Sequence, residues 1–255
     1  MRPNPYVNMK QSSGCTLCGS RKQCGLRTLD GNEPGKSHQC LNDNVRSRIL
    51  RRGEVLFESG GQTRVLAFVK SGTFKQSALT VDGCEQIVRF IGAGASIVSP
   101  RISESAVSYR TTALETSSVC EISESTLLEA QTPTGTVLRL VLDLLQEDVI
   151  DRDEHATMLG QKPAKARLAW LLQKISLQHA SRGLDPSEFR LPMSRCEVAN
   201  YLAMAVETVS RLFGDLERRG VICCDGRWVR VCCPDQLAEI SGLNMSPAVL
   251  AKAVG

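Results

Sequence analysis

The spacing of apolar residues changes twice along the chain. Residues 45–122 contain short apolar runs such as EVLF, VLAFV and IVRFI, separated by turn residues that include Asp82-Gly83 and Gly92. Strand-like runs with turn signals roughly every 8–12 residues are typical of a small all-β sandwich or roll. The sequence therefore predicts a β-roll over residues 45–132.

After Pro133 the apolar spacing becomes helical and forms two stripes on one helix over residues 133–161. One stripe can cover the roll, and the other can contact a second copy of the same helix, as in a coiled-coil dimer. The alternative is a helix that is buried on both sides within one subunit. The roll stripe consists of Val137, Val141 and Leu144, and the dimer stripe of Leu138, Leu142, Leu145 and Val149.

The dimer stripe continues to Arg152, which places a charge in the predicted dimer interface. Asp148, Asp151 and Asp153 surround this residue in the sequence. Like charges that meet across a two-fold axis destabilise a dimer unless each arginine reaches an aspartate of the partner. We therefore include Arg152 in the interface. The alternative is that Arg152 points to solvent and the interface ends at Val149.

A helix-turn-helix pattern follows a second helical region. Gly160 and Pro163 mark a break, and the helix that begins there ends at Gly183. Residues 195–214, RCEVANYLAMAVETVSRLFG, then fit two short helices, with Ser194 as the N-cap of the first. In this pattern, apolar residues bury the two helices, namely Val198, Leu202, Val209 and Leu212.

The second of these helices carries side chains that can read DNA bases. Glu207, Ser210 and Arg211 lie at offsets of three and four, so they share one face. Arginine can bond guanine, glutamate can accept from cytosine, and serine can bond either a base or a phosphate. The alternative is an ordinary surface helix on which Glu207 and Arg211 form an ion pair. Arg195 and Arg218 are predicted phosphate contacts.

Composition and charge agree with a DNA-binding protein of two domains. The chain has 255 residues, 42% hydrophobic and 23% charged, as expected for globular domains. Residues 1–161 carry as many acidic as basic residues, so the net charge of +4 lies entirely in residues 162–255. The chain has no apolar run of about 18 residues and no signal-like start, so we expect a cytoplasmic protein without membrane contact.

Eleven cysteines are many for a chain in a reducing compartment, and some should bind metal or sense redox state. Cys15, Cys18 and Cys24 form C-x2-C-x5-C, which is one thiolate short of a [4Fe–4S] cluster or a tetrahedral zinc site. The fourth ligand could be Cys40, Cys84 or Cys120. The spacing alone leaves zinc and iron–sulfur equally open. The three histidines are not spaced with one another, which argues against an enzyme with a histidine centre.

Four more cysteines flank a predicted hairpin, VICCDGRWVRV, which would be the wing of a winged helix. If Asp225-Gly226 is its two-residue turn, Cys223 lies opposite Trp228, about 13 Å along the strand from Cys232. That distance is too long for a disulfide. These cysteines are therefore predicted to be strand packing residues, namely Cys223, Cys224, Cys232 and Cys233.

Residues 15–242 resemble the FNR branch of the CRP/FNR family of transcription regulators. The resemblance is carried by CTLCGSRKQC, LFESGGQTRVLAFVKSGTFKQ, ALETSSVCEI and EFRLPMSRCEVANYLAMAVETVSRL. It implies an α+β protein with a cyclic-nucleotide-binding-like β-roll sensor, a long dimerisation helix and a C-terminal winged helix-turn-helix. Two departures stand out: residues 28–44 are rich in Gly, Asn and Pro, and Ala203 replaces a usual glycine.

The resemblance also implies a function. It selects Cys120 as the fourth ligand and iron–sulfur as the cofactor, so that a [4Fe–4S] cluster senses oxygen. A homodimer would bind palindromic promoter DNA, with the E-x-x-S-R motif of Glu207, Ser210 and Arg211 on TTGAT-like half-sites, and would contact RNA polymerase. The domains would be a cysteine-rich arm over 1–44, the roll over 45–132, the dimer helix over 133–161, the DNA-binding domain over 162–242 and a tail over 243–255.

Two other functions remain open at this point. One is a cyclic-nucleotide-dependent activator, although the stretch GAGASIVSPRISESAVSYRTTALE lacks the Gly-Glu pair of a phosphate cassette and only Arg110-Thr111 imitates its second half. We therefore expect no nucleotide in the roll. The other is an iron–sulfur electron-transfer module, for which a helix-turn-helix has no evident use. The roles of Cys40 and Cys84 stay undecided.

Overall fold

A β-roll, a long helix and a winged helix-turn-helix follow one another along the chain, which confirms the predicted α+β architecture. The computed structural model describes residue 24 and residues 45–59, 65–98, 107–123 and 134–242. No helix in these ranges is both long and apolar enough to cross a membrane.

In the described part of the chain, the roll consists of two antiparallel sheets of four strands each. In spatial order the first sheet contains β1 (Arg46–Leu50), β8 (Ser117–Ser123), β3 (Val65–Ser71) and β6 (Ser96–Val98). The second sheet contains β2 (Val55–Glu58), β7 (Val107–Ala113), β4 (Thr73–Thr80) and β5 (Glu85–Gly92). The predicted turn at Asp82-Gly83 joins β4 to β5, and Gly83 adopts a φ of 83° there.

Alternating side chains of each strand give the roll its core and a second apolar face. Ala67 and Val69 of β3 belong to the buried cluster between the two sheets. Leu66 and Phe68 of the same strand contribute to another cluster on the outer face of the first sheet. This period of two is the pattern of a strand that is covered on both sides. The inter-sheet core contains Leu50, Leu56, Ala67, Val69, Phe74, Ile91, Ile97, Ala113 and Val119.

Helix α1 (Thr134–Gln161) covers that outer face of the first sheet. Leu140 and Leu144 are buried against it, and Val137 is half-buried there. The roll stripe is therefore confirmed for Val137 and Leu144. Between them, Leu140, four residues before Leu144, is buried in place of the predicted Val141, which is only half-buried.

The C-terminal part contains four helices and a small sheet in the described range. Helix α2 begins after Pro163, and Gly183 adopts a φ of 68° just beyond its end. In chain order the elements are α2 (Ala164–Ser181), β9 (Glu188–Arg190), α3 (Arg195–Tyr201), α4 (Val206–Arg218), β10 (Ile222–Asp225), β11 (Trp228–Val231) and α5 (Pro234–Ser241).

The winged helix-turn-helix domain packs on the roll and on α1 through buried contacts. Ile87 and Leu114 of the roll and Met158 of α1 belong to the same apolar cluster as Trp170 and Tyr201 of the C-terminal part. Since these side chains are almost fully buried, the two halves of the chain share one continuous core.

Ion pairs border this shared core. Arg89 of β5 donates to Asp148 at 2.6 Å and to Asp151 at 3.1 Å, both on α1. Lys174 of α2 also pairs with Asp151. Asp151 therefore links the roll, the long helix and the winged helix-turn-helix domain.

Candidate DNA-reading surface and metal-ligand cysteines

Helix α3 begins with a capping box, which confirms Ser194 as its N-cap. The Glu197 amide donates to Ser194 Oγ at 3.2 Å, and the Ser194 amide donates to Glu197 Oε2 at 2.8 Å. These bonds satisfy two amides that have no partner within the helix. Glu197 Oε1 also lies 3.7 Å from Lys75 Nζ of β4. The same carboxylate therefore caps the helix and contacts the roll.

The turn between α3 and α4 is centred on Ala203. Ala203 has a φ of 49°, and in the described ranges it is the only residue other than glycine with a positive φ. A left-handed conformation costs an L-residue roughly 1–2 kcal/mol. The Met204 amide closes the turn by donating to Ala199 O at 3.0 Å. The alanine that departs from the usual glycine is therefore at a strained position.

Helix α4 packs into the domain along one face. Val209, Phe213 and Leu216 are buried on it, and Leu212 is half-buried against the same cluster. The prediction that Val209 and Leu212 bury this helix is therefore correct for Val209 and only partly correct for Leu212. Phe213, one residue further on, is the side chain that points directly at the core and is fully buried.

The predicted base-reading side chains lie on the opposite, exposed face of α4. Glu207, Ser210 and Arg211 are all exposed. Arg211 Nη2 donates to Thr208 Oγ1 at 3.2 Å, and Ser210 Oγ donates to the Val206 carbonyl at 3.1 Å. No ion pair joins Glu207 to Arg211 in this described helix. Both charged groups can therefore meet a ligand from solvent.

The two predicted phosphate contacts differ in their surroundings. The Arg195 guanidinium lies 3.2 Å from the centroid of the Phe213 ring, and burial lowers the pKa of Arg195. Arg218 is 77% exposed along its side chain and lies 3.6 Å from Asp215. Arg195 therefore packs on the domain, whereas Arg218 extends from its surface. Their contacts with phosphate remain predictions.

The wing forms as predicted, but its register differs. Asp225 pairs with Trp228 and Cys223 with Arg230, so the turn residues are Gly226 and Arg227. The predicted Asp225-Gly226 turn, with Cys223 opposite Trp228, is wrong. Gly226 has a φ of 58°, and glycine favours the first central position of a type II′ hairpin turn. Strand β9 completes this sheet beside β11.

The new register changes the environment of the wing cysteines. Cys223 and Cys232 are exposed, so the prediction that they are packing residues is wrong for these two. Cys224 is half-buried against the domain core, where burial and then Glu217 raise the pKa of its thiol to about 11. Cys233 is also half-buried, and all of these cysteines are outside disulfides.

Two of the four predicted cluster ligands lie in one place. Cys120 of β8 is half-buried on the outer face of the first sheet, opposite Phe68 of β3. Cys24 is half-buried as well, and it packs against the same apolar cluster as Cys120. Two cysteines that are far apart in the chain therefore pack against the same cluster. This cluster consists of Leu66, Phe68, Ile122, Leu140 and Leu144.

Of the remaining candidate ligands, only Cys84 lies in the described ranges. Cys15, Cys18 and Cys40 lie outside the described residues. Cys84 is exposed in the β4–β5 turn, where its Sγ lies 3.5 Å from Asp82 Oδ2. Within the described part of the chain, no three cysteine, histidine or acidic side chains are grouped as a metal site.

The predicted dimer stripe is exposed on α1. The exposed fractions are 57% for Leu138, 56% for Leu142, 44% for Leu145 and 54% for Val149. Helices of monomers rarely leave a continuous apolar row in water. The alternative in which α1 is buried on both sides within one subunit is therefore wrong.

Arg152 does not continue this stripe. Its Nε donates to Asp148 at 2.8 Å, its Nη2 donates to Gln76 Oε1 at 3.0 Å, and its guanidinium carbon lies 5.7 Å from the Tyr109 ring centroid. The predicted place in the dimer interface is therefore wrong, and so is the alternative of a side chain that points to solvent. Asp148, one helical turn earlier, and Gln76 of the roll together hold the Arg152 guanidinium within its own subunit.

Arg110, which belongs to the pair that resembles the second half of a phosphate cassette, points away from the interior of the roll. Arg110 is exposed on β7, and its Nε donates to Glu58 of β2 at 3.0 Å. The neighbouring Thr111 is 1% exposed. The guanidinium is therefore engaged outside the core.

Sequence reasoning missed the residues that join the two domains. The His155 ring stacks on Tyr201 at a centroid distance of 3.9 Å, and its Nε2 lies 2.8 Å from the Tyr201 carbonyl. Burial lowers the pKa of His155 and raises that of Tyr201. Asn200 bonds the edge strand β5. Neither His155 nor Asn200 belongs to a sequence motif. For His155, the helical spacing that places it on the buried side of α1 with Met158 is the one signal that could have indicated its role.

Comparisons with known proteins match both parts of the chain. Residues 47–131 match the cyclic nucleotide-binding domain family, and residues 166–240 match the Crp-like helix-turn-helix domain family. The fumarate and nitrate reduction regulatory protein of Vibrio cholerae is 30% identical over 244 residues, which cover 94% of this chain and 96% of the relative. The protein of the same name from Escherichia coli K12 is 32% identical over 236 residues, covering 91% and 93%.

Solved structures show the same fold. FixK2 from Bradyrhizobium japonicum superposes with a TM-score of 0.67 at 23% identity, over 77% of this chain and 96% of the other. A CooA mutant from Carboxydothermus hydrogenoformans superposes with a TM-score of 0.64 at 17% identity, over 86% and 95%. At these identities the likeness concerns the fold alone.

Proposed function

We propose that this chain, which belongs to the CRP/FNR family of DNA-binding transcription regulators, controls transcription in response to oxygen through a [4Fe–4S] cluster. The observation that carries this proposal is the packing of Cys24 and Cys120 against one apolar cluster beneath α1. The helix above them carries the exposed apolar stripe. A thiolate site and an association surface therefore lie on two sides of one helix.

The residues present fit an iron–sulfur group. Cys24 and Cys120 are half-buried and bordered by Leu140 and Leu144, so their thiols are partly shielded from water. Thiolates in such surroundings are the ligands that iron–sulfur clusters use. Cys15 and Cys18 would complete the ligand set. When bound, a [4Fe–4S] cluster supplies an oxygen-labile, negatively charged centre.

The chain's own packing supplies the link from these cysteines to dimerisation. Cys120 belongs to the cluster that holds Leu140 and Leu144, and these residues fix how α1 lies on the roll. Leu142 and Leu145 on the other face form the surface for a second copy. A change in the anchoring of Cys24 and Cys120 therefore changes the support of the dimer surface.

A homodimer would present two copies of α4 to DNA. Glu207, Ser210 and Arg211 of each copy would read a TTGAT-like half-site, with the half-sites of the palindrome about one helical turn apart. Bound at a promoter, the dimer would contact RNA polymerase. The exposure of all three side chains supports this part of the proposal.

Anaerobic purification tests the proposal. The protein should be coloured, contain iron and sulfide, sediment as a dimer and retard a palindromic TTGAT fragment more strongly than a scrambled one. Exposure to air should bleach it, shift it to a monomer and abolish the difference between the fragments. A colourless anaerobic protein with full site-specific binding would refute the oxygen-sensing proposal, and tight binding of cyclic AMP would favour a nucleotide-dependent regulator instead.

A further inference from the structure

Arg167 of helix α2 bonds the turn of the helix-turn-helix motif. Its Nη1 donates to the Leu202 carbonyl at 2.7 Å and lies 3.3 Å from the Ala203 carbonyl. Its Nε donates to the Lys162 carbonyl at 3.1 Å. Arg167 is half-buried, so these carbonyls replace part of the water that would otherwise hydrogen-bond its guanidinium. One guanidinium therefore joins the start of α2 to the end of α3.

The two carbonyls in the turn need such a partner. Leu202 caps the C-terminus of α3, where the last carbonyls of a helix have no amide partner within it. A cation is favourable there because the carbonyls give this end a partial negative charge. Ala203 adds the strain of its positive φ. The guanidinium thus stabilises the conformation that alanine resists.

The direction of α4 depends on this turn. Helix α4 begins at Val206, only a few residues after Ala203, so a change of backbone angle at Ala203 would reorient the whole helix. A second contact from α2 acts on the helix itself, because Lys165 Nζ lies 2.7 Å from Asp215 Oδ2. Helix α2 therefore holds both the turn and the C-terminal half of α4.

We propose that Arg167 is a positioning residue for DNA reading. By bonding Leu202 and Ala203 it holds the turn, and the turn aims Glu207 and Arg211 at the bases. This inference rests on the proposed function, because it requires that α4 discriminates between DNA sequences. In this role Arg167 itself does not contact DNA.

The test compares specific with nonspecific binding in the full chain. Arg167→Ala should bind a palindromic TTGAT fragment about tenfold more weakly, the equivalent of one lost charged hydrogen bond, while its affinity for a scrambled fragment changes less than about threefold. Arg167→Lys keeps the charge but not the forked geometry, so its loss should be smaller. Arg182→Ala removes a charge from the other end of α2 and should leave both affinities unchanged. Equal losses on both fragments for Arg167→Ala would overturn the proposal.

A second substitution makes the test specific to the turn. Glycine adopts a positive φ without strain, so adding Ala203→Gly to Arg167→Ala should restore specific binding to within about threefold of the original protein. No restoration would overturn the proposal.

Stability separates this inference from the proposed function. Ala203→Gly should raise the midpoint of urea unfolding more in the Arg167→Ala background than in the original chain, whatever DNA is bound. Equal shifts would overturn the role of Arg167 at the turn. If the original protein does not discriminate between the fragments while the shifts are unequal, the DNA-reading proposal fails and the contact between Arg167 and the turn stands.

Discussion

The Asn200 side chain of α3 accepts a hydrogen bond from the backbone amide of Ile87 in β5 at 2.6 Å. Its Nδ2 donates to the Glu85 carbonyl at 2.8 Å, and Gln86 Nε2 donates to the Asn200 carbonyl at 2.7 Å. Strand β5 is at the edge of its sheet, and Asn200 continues the hydrogen bonding that a neighbouring strand would provide. The DNA-binding domain is therefore attached to the backbone of the β-roll.

Replacing Asn200 with alanine should destabilise the protein by about 1–3 kcal/mol, because the Ile87 amide and the Glu85 carbonyl lose their partner at a half-buried site. Hydrogen exchange should show faster exchange at Ile87. Gln86→Ala removes only one donor and should have a smaller effect. Unchanged exchange at Ile87 in Asn200→Ala would contradict the assigned contact.

The cluster ligands can be tested one at a time. Cys24→Ser and Cys120→Ser should each abolish the anaerobic iron and sulfide content, because each change opens a coordination position. Cys15→Ser and Cys18→Ser should do the same. Cys223→Ser, in the wing, is the matched control and should keep the full content. If Cys84→Ser loses iron while Cys120→Ser retains it, the fourth ligand is Cys84.

The association surface predicts a charge-sensitive dimer. Leu142→Glu should give a monomer under anaerobic conditions, because carboxylates in an apolar dimer interface would be buried without partners. Sedimentation would measure this change. Leu184→Glu alters an apolar residue of similar exposure outside α1 and should leave the dimer intact. A dimeric Leu142→Glu protein would show that the apolar stripe is not the interface.

Base reading by Arg211 predicts a sequence-dependent loss. Arg211→Ala should lose about 1–3 kcal/mol of binding free energy on fragments that keep the half-site guanine, and little on fragments that lack it. Arg218→Ala should weaken all fragments alike if it contacts phosphate. Competition binding with single-base variants would measure both effects. The same loss for Arg211→Ala on every fragment would assign it to the DNA backbone.

Acid should weaken the contact between the domains through His155. Burial, and then Lys174, lower the pKa of His155 from 6.5, whereas the Tyr201 carbonyl and Asp151 oppose this shift. As pH falls below about 6.5, the unfolded chain binds a proton that the folded chain resists, so the free energy of unfolding decreases until the folded pKa is passed. His155→Gln should reduce this decrease in urea unfolding between about pH 7 and 5. His179, whose pKa burial also lowers, accounts for a remaining slope. An unchanged pH dependence in His155→Gln would exclude the role of His155.

Local patterns predicted much of this structure. The strand formed by the run VLAFV, the turn at Asp82-Gly83 and the N-cap at Ser194 follow from rules that concern neighbouring residues, and all three are confirmed. Arg152 shows where such rules fail. Helical spacing gives the position of its backbone but not the direction of its long side chain, which leaves the stripe and donates to Gln76 of the roll.

The candidate site shows the same division between local and distant contacts. The face shared by Glu207, Ser210 and Arg211 follows from helical spacing alone. The packing of Cys24 and Cys120 against one cluster depends on contacts between distant parts of the chain, and only the family resemblance paired these two residues beforehand. The register of the wing hairpin depends on whether Gly226 is the first or the second central residue of the turn. The dipeptide Asp225-Gly226 alone does not decide between these two positions.

The apolar cluster that Ile87 and Leu114 share with Trp170 and Tyr201 determines how the chain melts. Pulling the C-terminal domain away from the β-roll would expose aromatic and aliphatic surface, at roughly 25 cal/mol for each Å² transferred to water. Loss of either half therefore removes part of the other's support. Heat should unfold both halves in one cooperative transition rather than in two separate steps, and residues 162–242 expressed alone should be less stable than the same residues in the whole chain.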